Sequence, residues 1–371
     1  MQSFLEYSID EFNKKLITDQ KHFKQAMKLR DKFVKDFPPN SILDIEIDRY
    51  VEGKGEQTFC CRLEHELIDL GNILGSFASK FGIYFSKDTN EYKPTKRYGD
   101  TKDLAFKEVK RQIANLIQAG GIKDLQAINK SKLCKTLRGK ILFVYYPDDY
   151  LPIYDDKHLD FFIETLNICN SHSGTLQKQQ ALINWKNENN IMKQWTLLQF
   201  QHFLYITFYR KKENLLAEEE AEDNLIKQVR KNFKDNDKYR YKEDSPQPKP
   251  LKCIDKNNCS YRRNVCKSLE ALRLANYSCE LDCSHVSFLR KSNNKFYTEP
   301  HHLIPMFCQE NFPVSLDVEA NIVSLCSTCH NHIHYGKGAE ALVQKLYEDR
   351  KDRLEKAGIK IELKELLAIY Q

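Results

Sequence analysis

LCSTCHNHIHYGKG, residues Leu325 to Gly338, compresses two thiols and three imidazoles into one short stretch. Cys326 and Cys329 stand at CxxC spacing, a turn that lets two thiolates face one tetrahedral zinc. A closed structural site needs a second pair, and SCELDCSHVSF offers Cys279 with either Cys283 or His285. Six of the eleven histidines fall between His285 and His334, so metal ligation constrains this window more than any apolar pattern does. If CHNHIH is helical, His330 and His334 share one face while His332 points away. Upstream, EPHHLIPM supplies His301 as a third imidazole for a divalent cation and leaves His302 outside the metal shell. An imidazole near its natural pKa can accept a proton from water at neutral pH, so His302 is a candidate base.

In a short secreted chain twelve cysteines would read as disulfides. In a long chain opening MQSFLEYSIDEFNKKL, with no basic end or apolar run of a signal peptide, they read as thiols and metal ligands. A cytoplasmic protein is expected. No window approaches the roughly 20 apolar residues that span a bilayer, so no membrane partner is expected. The net charge of +6, from 58 basic and 52 acidic residues, is compatible with nucleic acid without demanding it.

Two domains are the natural expectation for 371 residues. Lys211 to Lys242 is charged on nearly every face and runs into EDSPQPKP, the composition of a solvated helix followed by a spacer. The boundaries that follow are 1–210, a linker at 211–250, and 251–371. In the first part DLAFKEVKRQIANLIQA (Asp103 to Ala119) has helical spacing, whereas KILFVYY (Lys140 to Tyr146) reads as a short strand closed by Pro147. The rings between Asn189 and Arg210, among them Trp195, Phe200 and Phe203, read as core. An α+β protein is expected, with a mixed α/β first domain.

The motifs RRNVCKSLEALRLANYSCE, HVSF, FYTEPHHLIPM, SLDVEANIVSLCSTCHNHIHYG and KAGIKIELKELLAIY, spread over Tyr261 to Tyr370, resemble the HNH, or ββα-metal, endonuclease family in its McrA-like zinc-bearing branch. The resemblance implies a β-hairpin and a helix clamped around a metal, with His301, His330 and His334 as ligands. It makes His302 the general base and Asn321 the residue that braces the loop and orients that base. Lys337 could touch phosphate, with an ordinary surface lysine as the equal alternative. The family spacing selects Cys279 and His285 to complete the structural zinc with Cys326 and Cys329, with Cys283 as the competing thiol. It also implies double-stranded DNA as substrate, Mg2+, Mn2+ or Ni2+ at the catalytic site, and 5′-phosphate and 3′-hydroxyl ends.

DRYVEGKGEQTFCCRLEHELIDLGNILGSFASKFGIYF, Asp48 to Phe85, resembles the N-terminal region of some McrB-type restriction proteins, and LRGKILFVYYPDDYLPIY extends the likeness. EGKGEQ lacks the lysine and Ser/Thr ending of a phosphate-binding loop, and Asp48, Glu52 and Lys54 stand too close in sequence to form a second nuclease centre. The leading expectation is a restriction endonuclease, type II or modification-dependent, whose first domain selects DNA. The rivals are a nuclease subunit that docks an McrB-type nucleotide-hydrolysing partner, and a zinc-braced binding module without catalysis. Cutting two strands with one site per chain is compatible with a homodimer.

Overall fold

The computed structural model describes residues 2–18, 20–74, 77–169, 174–231, 239, 241–250, 252–255, 258–285, 287–291 and 294–370. Residues 232–238 and 240 of the expected linker, and Val286 of the HVSF motif, lie outside the described residues. The chain divides into two compact units, one formed by Leu5–Tyr209 and one formed chiefly by Arg210–Gln371. Both are mostly helical with small two-stranded antiparallel sheets, an architecture that fits α+β. No helix among the described residues is long and apolar enough to cross a membrane.

In the first unit, helix Lys102–Gly121 begins where the Thr101 side chain accepts from the Leu104 N–H, and it buries Ala105, Val109, Ile113, Leu116 and Ile117 on one face. Trp195, Phe200, Phe203 and Phe208 are buried, and Trp195 meets Phe12 at 4.9 Å and Phe203 at 5.1 Å between ring centroids. These rings are core.

The run Lys140–Tyr146 is not a strand, because it lies in and closes helix Lys135–Tyr145. Lys140 through Tyr145 are all buried, so the segment has no solvent face and hence no period that separates a strand from a buried helix. Lys140 is fully buried, with its ammonium donating to the Leu67 and Gly71 carbonyls, and burial lowers its pKa to about 7. Gly71 has φ of +102°, and a Cβ there would stand 2.6 Å from the Tyr154 hydroxyl, so only glycine fits this turn.

The second unit begins with helix Arg210–Lys231, the segment expected to be solvated. Glu218, Glu222, Leu225, Ile226 and Val229 are buried on it, an i, i+4, i+7, i+8, i+11 stripe. Two carboxylates head that stripe, so hydropathy hides it. Strands Glu299–His302 and Ile322–Leu325 pair antiparallel, with His301 opposite Val323 and His302 opposite Ile322. Helix Ser327–Tyr335 follows directly, giving a β–β–α succession, and helices Ala339–Lys356 and Leu363–Tyr370 complete the chain. Leu303, Ile304, Leu316, Val323, Val343 and Leu366 are among the core residues beneath the hairpin.

The first unit also buries an ion pair, Lys80 with Glu64, in which Lys80 Nζ donates in addition to the Ile73 carbonyl at 3.0 Å. Stripping one partner from a buried pair strands the other charge. Lys80→Met should therefore cost about 3–5 kcal/mol in urea unfolding, and the double variant Lys80→Met/Glu64→Leu should recover most of that loss.

Candidate metal centres

Cys326 is the N-cap of helix Ser327–Tyr335, its sulfur accepting from the Cys329 N–H at 3.5 Å. The cap aims both sulfurs of the CxxC pair the same way. The other half comes from the segment after helix Val265–Leu274, where the chain turns through Asn276 and Tyr277 at positive φ and reaches Cys279. Glu280 then clamps this segment to the hairpin: its N–H donates to the Ser324 carbonyl at 2.9 Å, and its carboxylate accepts from the Ser324 N–H at 2.6 Å.

The result brings one donor atom each from Cys279, His285, Cys326 and Cys329 within 4.8 Å of one another. His285 Nδ1 lies 3.2 Å from Cys329 Sγ and 3.9 Å from Cys326 Sγ, whereas Cys283 is exposed and outside the group. Burial works against a thiolate at Cys279, but hydrogen bonds from the Cys326 backbone N–H, His285 and neighbouring amides outweigh it and bring the pKa to about 7. A Cys3His set with a thiol poised to ionise is a donor set for zinc.

A second group faces a different part of the same helix. His330 and His334, one turn apart, meet His301 from the first strand, with ring centroids 4.8–5.2 Å apart. A fourth member was not foreseen: Glu222, from helix Arg210–Lys231. Its Oε2 is 3.1 Å from His301 Nδ1, 3.3 Å from His330 Nε2 and 2.9 Å from His334 Nε2, and its Oε1 accepts from the His302 N–H at 3.1 Å.

The far sides of two rings decide what these four atoms want. The Tyr370 hydroxyl donates to the Leu303 carbonyl at 2.8 Å, so it accepts from His301 Nε2 at 3.0 Å. The Glu299 carboxylate takes the His330 Nδ1 proton at 2.9 Å. When neutral, rings held in these tautomers turn bare lone pairs toward Glu222 Oε2. Acceptors converging on one buried point call for protons or a cation. Burial lowers the His301 pKa to about 4, against the opposing pull of Glu222, so this ring supplies no extra proton near neutrality. The His330 pKa rises to about 9 in spite of burial, because Glu222 and Glu299 both bond to it, so without a cation this ring keeps a second proton facing Glu222, which a bound cation would displace. Burial pushes Glu222 up, yet His301 and the bonded imidazoles hold it well below the usual carboxylate range. Metal–nitrogen bonds of about 2.0–2.1 Å in a tetrahedron set donor atoms roughly 3.4 Å apart, close to the spacings seen. The residues fit a divalent cation.

His302, next to His301 on the strand, is not one of these four and is fully buried. Its Nε2 lies 3.1 Å from Asp317 Oδ1, and its Nδ1 has no hydrogen-bond partner among the described residues, with Glu222 Oε1 at 3.8 Å. Burial opposes charge on this ring, but Asp317 and Glu222 outweigh it and raise its pKa. Asn321, also fully buried, donates to the Ile304 carbonyl and the Leu316 carbonyl, both at 2.9 Å, and accepts from the Ile304 N–H at 2.8 Å. It thereby closes the loop between the two strands.

The remaining sequence candidates sit apart. His332 is exposed and bonds through Nε2 to the Lys337 carbonyl at 3.0 Å, and the Lys337 side chain is itself exposed. In the first unit Asp48 pairs with Lys54 and Tyr92, while Glu52 lies near Glu64 and His65 instead. Sequence reasoning missed Glu222, Glu299, Asp317 and Tyr370. For Glu222 the available signal was the stripe of helical spacing that it shares with Leu225, Ile226 and Val229.

No protein-family model matches the chain, and no solved structure matches it. A stretch of 69 residues, 19% of the chain, is 35% identical to the type IV methyl-directed restriction enzyme EcoKMcrA of Escherichia coli (strain K12). That stretch spans 23% of the relative's length. The likeness is partial.

The thiol site makes a direct prediction. Purified protein should carry zinc that is lost in Cys326→Ser and His285→Ala and kept in Cys283→Ser, measured by elemental analysis. Loss of zinc should also lower the melting temperature of the second unit, since structural zinc contributes folding free energy.

Proposed function

We propose that the protein is a restriction-type DNA endonuclease of HNH kind, cutting phosphodiester bonds at the His301, His302, His330 and His334 constellation. One observation carries the reading. Three imidazoles that could hold a cation stand beside a separate buried histidine whose Nε2 is tied to Asp317 and whose Nδ1 has no hydrogen-bond partner among the described residues. A binding module has no use for that second histidine, whereas hydrolysis requires a base next to the electrophile. The partial likeness to a restriction enzyme points the same way.

In this reading His301, His330 and His334 would hold the divalent cation, Mg2+, Mn2+ or Ni2+, which supplies charge neutralisation at the scissile phosphate and leaving oxygen. The chain's own groups do the rest. Asp317 accepts the Nε2 proton of His302, fixing the tautomer in which Nδ1 is the acceptor, and His302 takes a proton from the attacking water through that atom. Asn321 holds the loop that leaves the first strand, and so keeps both strand histidines in register. Glu299 and Tyr370 fix the rings of His330 and His301 so that the cation-facing nitrogens are bare. Hydrolysis leaves 5′-phosphate and 3′-hydroxyl ends. The Cys3His zinc braces the start of the helix that carries two of the ligands. The first unit selects the target DNA.

Plasmid cleavage followed by sequencing of the ends tests this. His302→Ala should slow cutting by about a hundred- to ten-thousand-fold while bound zinc stays at the wild-type level, although stripping the ring from buried Asp317 should lower the melting temperature. Asp317→Asn should also slow it, by less, with the same bound-metal content as wild type. Ends scattered at random over both modified and unmodified plasmid would sink site-directed restriction. No cutting with Mg2+, Mn2+ or Ni2+ would leave a zinc-braced binding module.

A further inference from the structure

Glu222 does more to the histidine group than join it. Its Oε2 makes a fourth protein donor beside His301, His330 and His334, and its Oε1 is held by the His302 N–H. Four protein donors close a tetrahedral shell, whereas a catalytic metal site keeps one position open for water or substrate. In a phosphodiesterase that open position belongs to a phosphate oxygen. A carboxylate oxygen has the same charge and acceptor chemistry.

The helix that brings Glu222 has a matching character. Between Glu213 and Asp223 it carries Glu213, Glu218, Glu219, Glu220, Glu222 and Asp223. Glu219, Glu222 and Asp223, followed by Lys227 and Arg230, line the helix side of a cleft of about 160 Å³ whose opposite side includes Glu299, His330 and His334. A phosphodiester reaching His330 and His334 meets the Glu222 carboxylate at short range, and like charges in a partly dehydrated cleft repel strongly.

The helix is fastened mainly by polar contacts. None of its residues belongs to the main apolar core of the second unit; Leu225 and Val229 form a small separate cluster with Leu272. Glu218 accepts from the Met306 N–H at 2.9 Å and the Phe307 N–H at 3.2 Å and lies 2.6 Å from Arg263, and Lys211 donates to the Ala368 carbonyl at 2.7 Å. Such a fastening is specific and limited in apolar area, as a releasable element requires.

We propose that helix Arg210–Lys231 is an autoinhibitory strap, in which the Glu222 carboxylate occupies the seat of the scissile phosphate and must withdraw before DNA is cut. This rests on the nuclease reading above. The covering state is the one described, and DNA competes with Glu222 for the same position. A population shift between covered and open states then sets the activity.

Full-length wild type, Glu222→Gln and Glu222→Ala would be compared on supercoiled plasmid with Mn2+, together with hydrogen exchange of the Arg210–Lys231 amides with and without a DNA duplex. Glu222→Gln keeps the side chain's size and an oxygen for the His302 N–H, so it isolates the charge. The expected result is cutting faster by about five- to a hundredfold in the variants, faster exchange along the helix in both, and faster exchange in wild type on adding duplex. Wild type that cuts while Glu222→Gln cuts more slowly, with helix protection unmoved by duplex, would overturn the strap alone and make Glu222 a ligand the reaction needs. Absence of cutting by all three proteins, with helix exchange unmoved by duplex, would overturn the nuclease reading and the strap together.

Discussion

Helix Ser327–Tyr335 is nine residues long and is part of both metal groups. Its N-cap sulfur and the next thiol face the Cys3His cluster, while His330 and His334 face Glu222 and His301. The hydrogen bond from the Cys329 N–H to Cys326 Sγ fixes where the helix starts, and the start fixes the rotation of every later side chain. The hairpin then has to bring His301 to that face. Pairing of Glu299–His302 with Ile322–Leu325 and the three bonds of Asn321 do so, while Glu280 ties the remaining thiol segment to the same strand.

Buried carboxylates are the second organising principle of this unit. Glu222, Glu299, Asp317 and Glu218 are all nearly inaccessible, and each is matched to donors: imidazoles for the first three, backbone N–H groups and an arginine for the last. Burying a carboxylate without such partners would be prohibitive. Each therefore locates a specific donor, and Glu299 and Asp317 set which ring nitrogen of His330 and His302 carries the proton.

The convergence of His301, His330 and His334, and of the CxxC pair with Cys279 and His285, was legible because ligand chemistry imposes short, fixed spacings on residue types that packing seldom groups. Asn321 was legible only through resemblance, since a lone asparagine in a loop has no pattern of its own. Glu222 was hidden for the opposite reason: it stands among carboxylates that look solvated, and its partners are nearly 80 residues away or more. Asp317 and Tyr370 are likewise long-range partners, fixed by tertiary contacts. In the first unit the buried helix Lys135–Tyr145 shows the same limit, since a segment apolar on all sides carries no periodic mark of its backbone shape.

The nine-residue helix also dictates what kinds of change this chain can tolerate in evolution. An α-helix turns by about 100° per residue, so a single residue inserted between Cys329 and His330 would swing both imidazoles away from His301 while leaving the thiols in place. A deletion would do the same in the other direction. Side chains along this stretch can drift wherever they face solvent, as Asn331 and His332 do, but its length cannot. In sequence comparison, the invariant to look for is therefore the distance from the thiol pair to the two histidines.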